Sequence, residues 1–347
     1  MKIINANAQY MDRDAENPFA FIERIGRICY KSESKITPES AKDFVAKLKK
    51  NGHLAMLEHY HLYLWDCTGA TVTMLGKVAQ GSPYVQVPAP LKFLNVTTFH
   101  NSGLISGSFR TFIELQASGN CHITESAMWD VLNKEFPDVF APSVNFGRSK
   151  QECIVRLETF ADVVKNVERA SSEEPGFVGL PKDAYWAHQE DVQRCLKKHL
   201  THTILFTCDR GVSHELVRHR PASFAQESTR YCNYGNAKFG HEITVIAPCF
   251  WPDHSETPYL QWASACESAE KSYFALLGCE GVTPQQARSV LPNSLKTEIV
   301  VTATEDEWQH ILDLRYHGKT GAPHPQMKEI MELAYPLLTA RSRNRLV

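Results

Sequence analysis

The chain of 347 residues lacks long hydrophobic runs, and no stretch approaches eighteen uncharged apolar residues. The sequence therefore predicts no membrane-spanning helix. The chain also lacks an excess of charge of either sign. Its 37 lysines and arginines nearly balance 39 aspartates and glutamates, for a formal net charge of -2. This balance argues against a general nucleic-acid coat, so any anion site must be local.

The ten cysteines lack a CxxC pair and are scattered singly from Cys29 to Cys279. Their spacing fits neither a zinc ribbon nor a compact disulfide framework. The first residues, MKIINANAQYMDRD, are too polar and too acidic for a signal peptide. We therefore expect reduced thiols in a cytoplasmic protein. A nucleophilic cysteine stays an open alternative, although no single cysteine stands out.

Helix starts are marked by a capping residue before a proline at the first helical position. They are Asn17-Pro18, Thr37-Pro38, Thr257-Pro258 and Thr283-Pro284. Apolar patterns predict strands over residues 61–65, 202–208 and 296–304. The last strand runs into Thr304–Glu307, a capping box that predicts a helix ending near Arg315.

Residues 70–195 differ in texture from the rest, with the Pro/Val stretch SPYVQVPAPLKF and the polar run ERASSEEPG. We interpret them as an inserted subdomain that divides a core made of residues 1–69 and 196–347. The insertion is expected to pack around its own small core, with helices near residues 107–118 and 123–135. The strands that flank it, 61–65 and 202–208, are expected to pair as neighbours.

Three arginines, Arg218, Arg220 and Arg230, stand close together in RHRPASFAQESTRY, residues 218–231. Pro221 disfavours helical geometry at Arg220, so the helix predicted over DRGVSHELVRHR should end there, at the negative end of its dipole. An anion at that point would have to be held by the guanidinium groups, which donate to phosphate in a planar, bidentate fork. The alternative is that the stretch is an exposed turn held by salt bridges, which would have the same composition.

The order of residues resembles a known signature. Arg218-His219-Arg220, then seven residues, then Ser228 is similar to the hallmark of the flavin-dependent thymidylate synthases. Further blocks resemble segments of that family in the same order: GHLAMLEH (52–59), ARSVLP (287–292), and EWQHILDLR (307–315) followed by HPQMKEI (324–330). The resemblance implies an α+β fold, a mixed sheet flanked by helices, with a large insertion that compact members lack.

The resemblance also implies an activity, the reductive methylation of dUMP to dTMP. FAD would lie between the subunits of a homotetramer, NADPH would reduce it, and methylenetetrahydrofolate would supply the carbon. The alternative is a catalytically inactive nucleotide- and flavin-binding protein on the same scaffold. Ala55 motivates that alternative, because the family commonly has Ser or Thr there and a hydroxyl contact to the flavin is missing.

Site residues are carried over from the resemblance by their positions. Arg315 is the catalytic candidate, because a guanidinium at the uracil edge favours ionisation at N3 and makes C5 a better nucleophile without an enzyme thiolate. The implied contacts to dUMP are Glu215, Arg218, Gln226, Glu227, Ser228, Thr229, Arg230 and Arg288. The implied contacts to FAD are Arg218, His219, Arg220, Gln226, Thr304 and His310.

Other chemistries have weaker support in the sequence. Ser228 could act as a nucleophile with His219 as its base, but a hydroxyl that binds phosphate or base is favoured. No metal is expected, because the clustered histidines (His53, His59 and His61; His199 and His202) lack partners at the spacing of a zinc motif. No GxGxxG motif follows a strand, so a Rossmann unit would not hold the flavin. RNA binding is disfavoured by the near-neutral charge.

Overall fold

The computed structural model describes residues 1–14, 17–80, 89–99, 102–120, 126–143, 155–172, 192–230 and 232–345. The strands are β1 Lys2–Ile4, β2 Asn7–Tyr10, β3 His61–Asp66, β4 Asn95–Thr98, β5 Gly103–Ser108, β6 Val155–Glu158, β7 Thr201–Asp209, β8 Ser223–Gln226, β9 Thr244–Ile246 and β10 Lys296–Thr304. All three strands predicted from the sequence are present, as β3, β7 and β10.

The helices are α1 Pro18–Tyr30, α2 Ser40–Lys50, α3 Ala70–Gln80, α4 Phe109–Ala117, α5 Met128–Glu135, α6 Phe160–Ser172, α7 over residues 192–199, α8 Arg210–Leu216, α9 Thr257–Leu277, α10 Pro284–Ala287, α11 Glu305–Arg315 and α12 Pro325–Arg345. Helices α4 and α5 confirm the two helices expected near 107–118 and 123–135, except that residues 121–125 lie outside the described part. Among the described residues, no helix is both long and apolar enough to cross a membrane.

The first four-stranded sheet has the order β2-β7-β10-β8 and is antiparallel throughout. Its centre is the pairing of β7 with β10, from Lys296 opposite Asp209 to Thr304 opposite Thr201. One face packs against α8, α11 and α12 through buried residues such as Phe206, Trp308 and Met331. A sheet covered by helices, with β1 paired in parallel with β9 beside it, confirms the predicted α+β class.

The second four-stranded sheet has the order β4-β5-β3-β6. Strand β3 pairs with β5 on one side and with β6 on the other. The expectation that strands 61–65 and 202–208 pair as neighbours is therefore wrong. The physical reason is that both edges of β3 are taken by strands from inside residues 70–195.

The largest apolar cluster of the described residues joins the two parts of the chain. Ile22 of α1 and Leu64 of β3 share one buried cluster with Phe109 of α4, Trp129 of α5 and Val300 of β10. The aromatic residues of this segment pack against one another, but Phe109 and Phe136 also pack against Phe19 of α1, so the core expected for residues 70–195 is continuous with the N-terminal part and not separate. The division of the chain into a core and an inserted subdomain stays a prediction.

Helix caps agree with the sequence at three of the predicted starts. Asn17 accepts from Phe19 N, Thr283 forms a reciprocal capping box with Gln286, and Thr304 accepts from Glu307 N. The Thr37-Pro38 start is wrong by two residues, because Glu39 is the N-cap of α2. Thr257 is itself the first residue of α9, with Glu256 as its N-cap.

Helix α8 ends at Leu216 and not at Arg220 as the sequence predicts. The backbone N–H groups of Arg218 and His219 donate to the carbonyls of Glu215 and Leu216, at 3.2 and 3.1 Å. These three-residue turns replace helical hydrogen bonds because the chain must reverse into β8 within a few residues. Arg218 and Arg220 therefore lie on an exposed turn beyond the helix.

Candidate active site

The topology places the predicted site residues at the two ends of β10. Arg288 precedes β10, and the loop after β8 lies at that same end, since Gln226 is paired with Ile299 and Ser223 with Thr302. Helix α11 follows β10 at its other end. Helix α8 begins beside Lys296 and runs back, so that its last residues reach α11.

The Arg315 cluster lies where the ends of α8 and α11 meet. Arg315 Nε donates to His219 Nε2 at 3.2 Å, and Arg315 Nη1 donates to Glu215 Oε2 at 3.0 Å. Its Nη2 atom has no hydrogen-bond partner among the described residues. The Arg315 side chain is 25% exposed, so it is in part accessible from solvent.

His219 is buried and neutral. Burial first, and then the charge of Arg315 and the neighbouring His310, lower the pKa of His219 to about 4. Since Nε2 accepts from Arg315, the ring proton of the neutral form must be on Nδ1. Nδ1 faces Glu307 Oε1 at 3.8 Å, and that oxygen is buried without a hydrogen-bond partner among the described residues.

The side chains around this cluster differ in exposure. His310 is exposed and its ring meets the His219 ring edge-on, with centroids 6.2 Å apart. Arg218 and Arg220 are exposed on the turn before β8. The Thr304 hydroxyl caps α11 through Glu307 N at 3.3 Å, so its oxygen is already occupied by the backbone. The exposed side chains around the cluster are therefore two guanidinium groups and one imidazole ring, all of which can donate hydrogen bonds.

His219, Glu307 and His310 bring possible metal-ligand atoms within 4.8 Å of one another. The chemistry of the group does not suit a cation. Nδ1 of His219 carries the proton, and the Arg315 guanidinium lies against Nε2, so a bound cation would meet a proton and a positive charge. We interpret the triad as part of the Arg315 cluster.

The loop after β8 forms the second cluster. Arg288 Nη1 donates to Thr229 Oγ1 at 2.9 Å, which joins the two predicted nucleotide contacts. Ser228 N donates to Cys29 O at 3.2 Å, and the half-buried Ser228 hydroxyl accepts from Arg230 N at 3.4 Å. Gln226 Nε2 donates to Ser213 Oγ and Thr297 Oγ1, at 2.8 and 3.2 Å. Arg230 itself is exposed.

Glu227 is the buried carboxylate of this loop, with 3% of the residue exposed. Its Oε2 accepts from Lys296 Nζ at 2.9 Å and from Glu298 N at 3.2 Å, and its Oε1 accepts from Cys232 Sγ at 3.4 Å. The contact between Glu227 and dUMP stays a prediction, and it would require these hydrogen bonds to rearrange.

Sequence reasoning missed the two lysines around Glu227. Lys31 and Lys296 lie far from the arginine stretch in the chain, and neither belongs to a motif. A weak signal exists in KTEIV, residues 296–300, where strand alternation places Lys296 and Glu298 on one face of β10. It identifies a charged face but not the partner on the neighbouring loop.

Residues 193–341 match the protein-family model described as "Thymidylate synthase complementing protein". The flavin-dependent thymidylate synthase of Pyrococcus abyssi is 30% identical over 200 residues, which cover 56% of this chain and 75% of the relative. That of Geobacter sulfurreducens is 35% identical over 106 residues, 30% of this chain and 43% of the relative.

A solved structure of "a UMP/dUMP methylase PolB from Streptomyces cacaoi bound with 5-Br dUMP" is 22% identical, with a TM-score of 0.38, over 54% of this chain and 86% of that chain. The residues that match the family model include both clusters at the ends of β10. Since the relatives are enzymes, this chain belongs to a class of enzymes. The chain belongs to the flavin-dependent thymidylate synthase family, which confirms the family predicted from the Arg218-His219-Arg220 signature.

Proposed function

We propose that the chain catalyses the reductive methylation of dUMP to dTMP, with methylenetetrahydrofolate as carbon donor, FAD as cofactor and NADPH as its reductant. The observation that carries the proposal is the Arg315 guanidinium. Glu215 and His219 hold it through Nη1 and Nε, and its Nη2 atom has no hydrogen-bond partner among the described residues. Family membership supports the reaction, because the relatives it matches are flavin-dependent thymidylate synthases.

Arg315 has the role of stabilising negative charge on the pyrimidine. A fixed guanidinium at the uracil edge favours the form ionised at N3, and the charge raises the nucleophilicity of C5. Pre-organisation by His219 and Glu215 means that the guanidinium need not reorient during the reaction.

Cysteine chemistry fits poorly at this site. Cys29 and Cys232 flank the loop after β8, and burial raises the pKa of Cys29 to about 11 and that of Cys232 to about 12. Both thiols stay protonated near neutral pH, whereas a thiolate is the reactive form. This supports a route in which Arg315 activates the pyrimidine directly.

Nucleotide binding is assigned to the second cluster. The cluster brings together two guanidinium groups, of Arg288 and Arg230, and two hydroxyls, of Thr229 and Ser228. Guanidinium groups bind phosphate oxygens in bidentate fashion, so these residues suit the phosphate of dUMP. Glu215, Arg218, Gln226 and Glu227 remain proposed contacts to the same nucleotide.

The residues carried over for FAD fit its chemistry. Arg218 and Arg220 are both exposed on the turn before β8, and two guanidinium groups match a diphosphate. When bound and reduced by NADPH, the flavin would supply the hydride for reduction of the transferred carbon. His219 is neutral, so it presents an uncharged ring beside His310, and Gln226 and Thr304 complete the proposed contacts.

The spacing of the two clusters supports a site shared between copies of the chain. They lie at opposite ends of β8, and Ser223 to Gln226 spans about 10 Å at the usual rise of a strand. A pyrimidine at Arg315 and a phosphate at Arg288 within one chain would have to bridge this strand. We infer that a second copy completes each pocket, within the proposed homotetramer with FAD at its interfaces.

The alternative function is a nucleotide- and flavin-binding protein without turnover. Its motivation is Ala55, which is exposed within the 3-10 helix Leu54–His59 and lacks the hydroxyl that the family commonly has there. The presence of Arg315, Arg288 and Ser228 in ordered contacts favours the enzyme.

The decisive assay measures tritium release from 5-tritiated dUMP with NADPH and methylenetetrahydrofolate. We expect a yellow protein that releases tritium, and an Arg315→Met variant that stays yellow but releases almost none. A yellow wild-type protein without release would establish the alternative. A colourless protein that does not take up added FAD would contradict both functions. Replacing NADPH by NADH in the same assay resolves the reductant.

A further inference from the structure

We propose that Lys31 and Lys296 are positioning residues for nucleotide binding, acting through Glu227. The four side chains Lys31, Glu227, Lys296 and Glu298 form what we name the lysine clamp, at the root of the loop Ser228–Arg230. The inference rests on the proposed function, since it concerns how that loop is held for dUMP.

The centre of the clamp is the buried carboxylate of Glu227. Lys296 Nζ bridges it to Glu298, at 2.9 Å from Glu227 Oε2 and 2.8 Å from Glu298 Oε1. The main chain strengthens the same junction, because Glu227 N donates to Glu298 O at 2.8 Å and Glu298 N donates back to Glu227 Oε2. The loop therefore leaves β8 fixed to β10 by backbone and side chain together.

Lys31 attaches the same loop to the end of α1. It is the C-cap residue of α1 in the left-handed conformation, with φ 48°, which is uncommon outside glycine and asparagine. This conformation turns the chain so that Lys31 Nζ pairs with Glu298 Oε2 and lies 3.7 Å from Glu227 Oε2. Two residues earlier, Cys29 O accepts from Ser228 N, so α1 also holds the loop backbone.

The charges of the clamp balance. Two lysines face two glutamates, and Glu33 lies 3.5 Å from Lys31 at the exposed rim. Despite the opposing effect of burial, the lysines lower the pKa of Glu298, and Glu227 and Glu298 raise the pKa of Lys31. Glu298 and Lys31 are therefore charged near neutral pH. Buried ion pairs contribute little net stability, but removing one partner leaves an uncompensated charge.

The consequence concerns binding more than chemistry. Ser228, Thr229 and Arg230 follow Glu227 directly, and Arg288 reaches Thr229 from the segment that leads into Lys296. The clamp thus fixes Arg288 and the loop Ser228–Arg230, the two parts of the second cluster, relative to each other. Without it, we expect the loop to sample several arrangements and to bind dUMP more weakly, while the Arg315 cluster at the other end of β10 is unchanged.

The test compares dUMP binding in four proteins: wild type, Lys296→Gln/Glu298→Gln, Lys296→Arg and the surface control Lys271→Met. The double variant leaves Glu227, a proposed dUMP contact, in place and removes one charge of each sign, so that Lys31 and Glu227 remain a balanced pair and the protein should fold. Calorimetry with dUMP should give a dissociation constant raised about tenfold in the double variant, near wild type in Lys296→Arg, and unchanged in Lys271→Met.

Steady-state assays provide the second readout. We expect the KM for dUMP to rise about tenfold in the double variant and kcat to stay within about twofold, because the clamp acts before chemistry. Equal dUMP affinity in the double variant and wild type would overturn the clamp. A loss of kcat with unchanged KM would overturn it as well. Failure of the wild type to bind dUMP would instead refute the proposed function, so the two failures are distinct.

Discussion

Arg315 Nε donates a hydrogen bond to His219 Nε2 over 3.2 Å, between residues 96 positions apart in the chain. This bond exists only while His219 Nε2 is unprotonated. The buried, neutral state of His219 is therefore a condition for the orientation of the guanidinium. The Arg218-His219-Arg220 motif thus combines two exposed charges with a central histidine that serves a different group.

The first prediction concerns Arg315→Lys. Lysine keeps the positive charge but cannot donate to both His219 and Glu215 from a planar fork. We expect normal folding, near-normal flavin content and a fall in kcat of about 100-fold, the size expected when an oriented donor to developing charge is lost. Tritium release and the flavin spectrum are the measurements, with Lys271→Met as the control. Turnover within a few fold of wild type would show that Arg315 is not catalytic.

The second prediction concerns the titration of His219. Burial and the charge of Arg315 hold its pKa at about 4. Substituting Arg315 by Met removes one of these causes, so the pKa of His219 should rise towards 6.5, the ordinary value for histidine. NMR titration of the His219 ring protons in the wild type and in Arg315→Met measures both values. An identical midpoint in the two proteins would mean that the Arg315–His219 contact is not formed in solution.

The third prediction concerns Thr229→Val. Valine has nearly the shape of threonine but cannot accept the hydrogen bond from Arg288 Nη1. We expect the KM for dUMP to increase about tenfold, the effect of losing about 1.4 kcal/mol, with a smaller change in kcat. Thr229→Ser keeps the hydroxyl and is the matched control. If both variants behave alike, the hydroxyl does not orient Arg288.

The fourth prediction concerns stability at acidic pH. Burial lowers the pKa of His59, His61 and His199 to about 3 in the folded protein. Because the unfolded chain binds these protons near pH 6.5, the stability is complete above pH 6.5 and is lost as pH falls towards 3. Each histidine contributes at most about 1.4 kcal/mol per pH unit over that range.

Urea unfolding at pH 7.5, 6.5, 5.5 and 4.5 measures this loss. The free energy of unfolding should change little between the first two values and fall increasingly at lower pH. His199→Gln can retain the contact that Nε2 makes to Thr97 without the titration, so its acid dependence should be weaker. A free energy that is constant from pH 7.5 to 4.5 would contradict the prediction.

Local signals in the sequence predicted elements well, and long-range pairing poorly. Asn17, Thr283 and Thr304 cap their helices because caps depend on nearby residues. The partner of β3 was mispredicted, since alternation in HLYLW reports a strand but not which strand lies beside it.

The candidate site shows the same division. Arg315, His219 and Glu215 could be named from motif positions, and the structure brings them together. Lys31 could not be named from the sequence. Its role depends on the left-handed backbone conformation of Lys31 at the end of α1, which places its side chain beside β10. Glu307 faces His219 only because α11 is folded back against α8.

The strand partners of the first 66 residues have a consequence for how the protein folds. Strand β1 pairs with β9, β2 with β7, and β3 with β5 and β6. Each of these N-terminal strands can therefore pair only after a later part of the chain has been synthesised. During synthesis the N-terminal segment can form α1 and α2 but leaves its strand edges open. Long-range pairings of this kind slow folding and expose apolar surface while the chain grows. The central sheet is completed only when β10, at residues 296–304, has left the ribosome.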